Sequence, residues 1–430
     1  MWTIEPRARA LRRSAGVLGM TFLLAPGALA QRALTWEEIK QRFEGANPTL
    51  RAAQLNVDES KAQEITAFLR PNPDFTLATD GTQLSSTEGI WQPFAGTQFT
   101  GSLSYLHERR HKRELRLQSA QKATAVSQSQ FADQERNLLF NLRNAFVQAL
   151  QAKAVLALAR ENLTYYDQML RLSRERKQAG DIAQIDVDRL EVQRVQYETD
   201  IQTATVNLRT AKIQLLALLL DRTPVEQFDV TGVFDFQDHL MPLEQLRAVA
   251  LESRPDLRAA IQSEEKAKTD HQLAIANGST DPTFAGWISH NGSFNNQFAN
   301  NTLGASVSIP LRIFDRNQGE KARTEVEIRR TERLRAATEA QAYSDVDSAY
   351  VTVASNLALL ASYKARYLAQ AVRVRETIAF SYERGGASLL DFLQAQQDYR
   401  QVQLNYLNLI GSYLTSASQL NLAVGKEVIQ

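Results

Sequence analysis

The 430-residue sequence predicts a mainly α-helical fold with a small β part, built from duplicated long helical hairpins and four strands. Three observations predict it. Proline is missing between Pro93 and Pro224 and again after Pro310, so two long stretches lack the residue that breaks helix interiors. Each stretch is interrupted near its middle by glycine, Gly180 in "KQAGDIAQIDV" and Gly385-Gly386 in "ERGGASLLDFL", and glycine ends a helix at little cost. Period-2 segments precede each stretch. In "TQFTGSLSYL" (Thr97 to Leu106), Phe99, Gly101, Leu103 and Tyr105 alternate with Gln98, Thr100, Ser102 and Ser104, the pattern of a strand with one apolar and one polar face.

At the N-terminus, Arg7, Arg9, Arg12 and Arg13 precede the apolar run Ala15 to Ala30, which closes on Ala28-Leu29-Ala30. This is the pattern of a secretory signal peptide over residues 1–30, leaving a mature chain of 31–430. The run is shorter than the ~20 residues that a spanning helix needs. No later segment is apolar enough to span a bilayer as a helix, so a membrane role would have to use strands. The chain has no cysteine, which excludes disulfides, thiolate metal sites and a cysteine nucleophile. A net charge of +1 gives no support for nucleic-acid binding.

The body of the chain is an internal duplication. "PTLRAA" at Pro48 recurs as "PDLRAA" at Pro255, 207 residues on, and Gly180 and Asp186 recur as Gly385 and Asp391, 205 residues on. The repeats span about 35–221 and 242–424, with hairpins at about 112–221 and 316–424. After the first turn an apolar stripe runs Val187, Leu190, Tyr197, Ile201, Ala204, Leu208, Ala211, Leu215. After the second it runs Phe392, Ala395, Tyr399, Val402, Tyr406, Leu409, Tyr413, largely in the same register. Steps of 3 and 4 describe a coiled-coil seam. The first descending helix, expected over Glu114 to Lys177, would be on the order of 90 Å long and needs partner helices along its whole length.

Strand pairs are expected within 73–106 and 282–310, including "DFTLAT", "TFAGWIS" and "TLGASVSI". Four strands of about ten residues match the ~9–11 that cross a bilayer as tilted barrel strands. Four cannot close a barrel, but symmetric copies could. The apolar face would then meet lipid and the polar face water.

The duplicated "P-x-LRAA" segments, the "SIPLRIFDRNQGEKA" passage, the two glycine-to-aspartate turns and the proline-free helices together resemble the TolC family of outer-membrane efflux channels, over nearly all of the mature chain. The resemblance implies a homotrimer in the outer membrane of a Gram-negative cell. Twelve strands would form one transmembrane barrel, the helices would form a periplasmic tunnel, and a mixed region at Asp221 to Leu251 with the C-terminal tail would belt it. It implies a passive duct with no enzymatic activity and no cofactor. Its partners would be a periplasmic adaptor, an inner-membrane pump of RND or ABC type, and outer-membrane lipid. The adaptor would contact the tips at Gly180, Asp181, Gly385 and Gly386. Asp186, Tyr382 and Asp391 match gate positions of the family; Gln394 stands where some members have a second aspartate, and Ala387 where some have a basic linking residue. The "IPLRIFDRNQG" passage is similar to members paired with heavy-metal pumps. The alternative is a periplasmic coiled-coil adaptor, although adaptors usually carry one hairpin rather than two.

Two readings compete at the aspartates. A three-fold axis would gather three copies of Asp391 into a ring that attracts cations and whose charges raise one another's pKa. Alternatively, Asp186 and Asp391 cap free amides at helix N-termini. "HERRH" (His107 to His111) matches the H-E-x-x-H zinc-protease pattern. It follows a strand and sits among Arg109, Arg110, Lys112 and Arg113, so a basic collar where strand becomes helix is the expectation, and no metal site. The runs "RLSRERK" and "EIRRTERLR" are expected to be solvated helix faces.

Overall fold

A computed structural model describes residues 33–86, 88–292 and 300–429; the expected signal peptide lies outside these. Each repeat opens with two helices, α1 (Trp36–Ala46) and α2 (Pro48–Phe68) in the first, α5 (Leu243–Ser253) and α6 (Pro255–Asn277) in the second. A strand pair follows in each, β1 (Asp74–Asp80) with β2 (Gln98–Leu106), and β3 (Thr283–Asn291) with β4 (Asn301–Ser308). The first hairpin is α3 (Lys112–Gln178) and α4 (Gln184–Leu219). The second descends through α7 (Gln318–Ser362), a π-helical turn at Tyr363–Tyr367 and α8 (Leu368–Glu383), then returns through α9 (Leu389–Val424). The 67 residues of α3 make a helix of about 100 Å.

The four strands form one antiparallel sheet in the order β1-β2-β3-β4. Its register places Phe75, Leu77, Phe99, Leu103, Phe284, Ile288, Leu303 and Val307 on one face. All eight are exposed. The other face carries Thr76, Thr100, Ser102, Ser104, Ser289, Thr302 and Ser306, with Trp287 lying across Gly304. A Cβ at Gly304 would sit 2.3 Å from that indole ring, so glycine is required there. β1 and β4, at seven and eight residues, are shorter than the bilayer-length strands expected. Each is an edge strand, with a ladder on one side only within a single chain.

Both seams pack as the duplication predicts. Val187, Leu190, Tyr197, Ala204, Ala211 and Leu215 are buried on α4, and Phe392, Ala395, Tyr399 and Tyr413 on α9. The core is strung out along the hairpins instead of forming one mass. One cluster joins α1, α3, α4 and the segment with Phe228 and Val230, and another joins α5, α7, α9 and the tail residue Ile429. A small cluster of Leu156, Ala159 and Ala204 follows along the first hairpin. At the tips, α3, α4, α8 and α9 share Tyr166, Leu170, Leu190, Tyr197, Tyr382 and Phe392. The π-helical turn is a departure from the single descending helix expected: it carries no proline or glycine, and its backbone bulge has no signature in residue type.

"HERRH" forms the loop between β2 and α3. Its two imidazoles therefore do not share a helix face: His107 lies edge-on to Phe284, and Glu108 pairs with Arg116. Among the described residues no helix is long and apolar enough to cross a membrane.

Candidate functional site: the hairpin tips

The two tips are built alike. Gly180 and Gly385 have φ of +87° and +77°, the left-handed region where a side chain is strained. The following amide closes each turn on the carbonyl five residues back: Asp181 N–H to Arg176 O at 2.9 Å, and Gly386 N–H to Ser381 O at 2.7 Å. This left-handed cap satisfies carbonyls that the helix end leaves free. Gly180, Asp181, Gly385 and Gly386 are all exposed.

Where the returning helices begin, the tips differ. Ser388 caps α9, its hydroxyl accepting from Asp391 N–H at 3.2 Å while Asp391 Oδ2 accepts from Ser388 N–H at 3.1 Å. The Ser388 hydroxyl, and then its amide, hold the exposed Asp391 carboxyl below its usual range. At the equivalent place in α4 stands Ala183, which makes no side-chain cap. Asp186 instead reaches Arg189 at 4.0 Å. The capping expectation therefore holds for Asp391, whereas Asp186 has no serine to complete the box. Gln394 is exposed and donates to Asp398 at 2.8 Å.

Tyr382 is buried, its ring stacked on Phe392 at 5.0 Å. Its hydroxyl is buried without a hydrogen-bond partner. Arg176 crosses from the first hairpin to the second, donating to Tyr382 O at 2.6 Å with its guanidinium 5.5 Å from the Tyr382 ring. A second arginine, Arg375 on α8, lies between two tyrosine rings, 4.6 Å from Tyr165 on α3 and 3.8 Å from Tyr399 on α9. A third, Arg400 on α9, pairs with Asp200 on α4 at 2.7 Å. Tyr166 stacks on Tyr197 at 4.5 Å beneath them. Burial first, then the neighbouring phenols, push the Tyr166 hydroxyl well above its ordinary range; burial pushes Tyr197 to about 12. Both stay neutral and donate or accept only as phenols.

Sequence reasoning placed the turns and both aspartates and missed the three arginines. Arg176 sits inside "RLSRERK", read as a solvated face. The available signal was the spacing of Arg375 and Arg400 around Tyr399 and Tyr197 on seams already identified.

The family model described as "Outer membrane efflux protein" matches residues 41–219 and 246–426. The cobalt-zinc-cadmium resistance protein CzcC of Cupriavidus metallidurans is 24% identical over 400 residues, covering 91% of this chain and 90% of that protein. Among solved structures, the fold is similar to CusC, with a TM-score of 0.74 at 18% identity, covering 91% of this chain and 92% of that one. It is also similar to the Campylobacter jejuni CmeC outer membrane channel, with a TM-score of 0.72 at 15% identity, covering 92% and 87%. The match in two blocks follows the duplication, and it spans well over half of the chain. The chain belongs to the outer membrane efflux protein family.

Proposed function

We propose that three copies of this outer-membrane channel protein close one twelve-stranded barrel and continue it as a helical tunnel, an exit duct gated at the hairpin tips. The observation that carries this reading is the sheet: eight large apolar side chains on one face of four strands, all exposed, opposite a hydroxyl-rich face. Lipid on one side and water on the other is the environment that leaves neither face mismatched. An adaptor would have no use for such a sheet. A second support is the row Ile185, Val192, Val206 and Ile213 on α4, spaced by seven or fourteen residues, which is exposed in the single chain and suits a helix of the next copy.

In this reading Asp391, Asp186, Tyr382 and Gln394 sit at or beside the constriction, and the glycine turns meet a periplasmic adaptor coupled to an inner-membrane pump. Heavy-metal cations are the proposed cargo, in line with the "IPLRIFDRNQG" passage and the relative named for cobalt, zinc and cadmium resistance. Fractionation followed by planar-bilayer recording tests the assembly. Heat-modifiable trimers from the outer membrane should conduct, and Asp391→Ala should raise single-channel conductance. A water-soluble periplasmic monomer would reject the channel. Deleting the gene should sensitise cells to those metals more than to drugs.

A further inference from the structure

We infer that the apolar segment after β4 is a clasp for a second copy of this chain, seated against the end of α2 in the neighbouring copy. Leu311, Ile313 and Phe314 are 79%, 61% and 89% exposed, three large apolar side chains facing solvent within four residues. At the end of α2, Ile65, Phe68 and Leu69 are exposed too. Within the chain the Arg113 guanidinium lies 4.4 Å from the centre of the Phe68 ring.

The strand register decides what these two patches meet. Asp74 opens β1 opposite Ser104 near the end of β2, and Thr283 opens β3 opposite both Leu106 and Ser308. The start of β1 and the end of β4 therefore lie at the same, helical, rim of the sheet. β1 and β4 are its two outer edges. When copies close a barrel, the β4 edge of one meets the β1 edge of the next, and because the two strands run in opposite directions the contact is antiparallel. The chain just after Ser308 is then set beside the neighbour's chain just before Asp74. Phe314 follows Ser308 by six residues and Phe68 precedes Asp74 by six, so the patches fall at comparable depth. Each removes the other from water at the junction of barrel and tunnel, where an unsealed seam would leak. The contact is heterologous, one patch on each side, and a three-fold rotation between copies closes it as a ring.

The inference rests on the proposed trimer, and its test separates the two. The chain has no cysteine, so the double variant Phe68→Cys/Phe314→Cys can be oxidised in the outer membrane without background. The expected result is a covalent ladder of dimer and trimer on non-reducing gels, absent from either single variant. Leu69→Cys/Ile313→Cys is the second pair. Wild-type protein that forms no trimer overturns the channel reading itself. Trimers that form in both double variants yet give no ladder overturn the clasp and assign these side chains to lipid. Phe314→Asp should leave the far-UV spectrum of the monomer unchanged, since the side chain is 89% exposed there, and lower the temperature at which trimers dissociate. An unchanged dissociation temperature also overturns the clasp.

Discussion

Asp391 completes the cap of α9, and in the proposed channel the same residue would also serve the gate. Its carboxyl is held below the ordinary aspartate value by Ser388, so the cap contributes fully above the ordinary value and is lost only as pH falls through the depressed one. A ring of three aspartates would push the same group the other way. The cap therefore opposes that push and favours the charged form, which a cation-attracting constriction would require. Ala183 and Asp186 stand 205 residues before Ser388 and Asp391, and they form a natural control. Ser388→Ala should frey the first turn of α9, costing about 1 kcal/mol, and let Asp391 protonate nearer its ordinary range. Ala183→Ser should complete a box with Asp186 and protect the first turn of α4. Amide hydrogen exchange at the two tips reads both changes; protection that does not move in opposite directions would refute the pairing.

At the scale of elements, the seams account for most of what could be read in advance. Period fixes which residues of α4 and α9 face inward, because the burial of Leu190, Leu215 and Phe392 depends only on helical geometry and a partner. Leu215→Ala removes a completely buried side chain beside Leu142 and Phe146 and should cost about 2–5 kcal/mol. Val192→Ala, on the outward stripe, should leave the isolated chain unaffected and weaken the trimer. Thermal denaturation of monomer and of trimer separates the two. The sheet faces were legible for the same reason, since period 2 survives any register that keeps one face apolar. What was not legible came from backbone detail and long side chains. The π-helical turn at Tyr363–Tyr367 leaves Tyr363 stacked with Tyr406 and Lys364 4.9 Å from the ring centre of Phe236, contacts no local pattern announces. Arg176 reads as solvent-facing charge and Arg375 carries no signal of its own, because a helical pattern reports where Cα points, and an arginine stem reaches several ångströms beyond that.

For the molecule as a whole, the question is what joins its two hairpins near the tips. At one end they are held through the clusters around Phe228 and Leu246. At the other end the bridges are the shared tip cluster and three arginines, of which Arg375 spans the most elements, touching α3 and α9 from α8. Its guanidinium is planar and can stack on two rings at once, while an ammonium of the same charge cannot. Each such contact is worth about 0.5–2 kcal/mol when desolvated, enough to bias a gate whose states differ by a few kcal/mol. If the second hairpin moves away from the first when the duct opens, that contact must break. Arg375→Ala should then raise the open fraction in single-channel records, and Arg375→Lys should fall between it and wild type. High salt should do little, because stacked and partly buried charge is weakly screened. Equal open fractions in all three proteins would mean that the hairpins open as one body, with Arg375 a structural rivet within it.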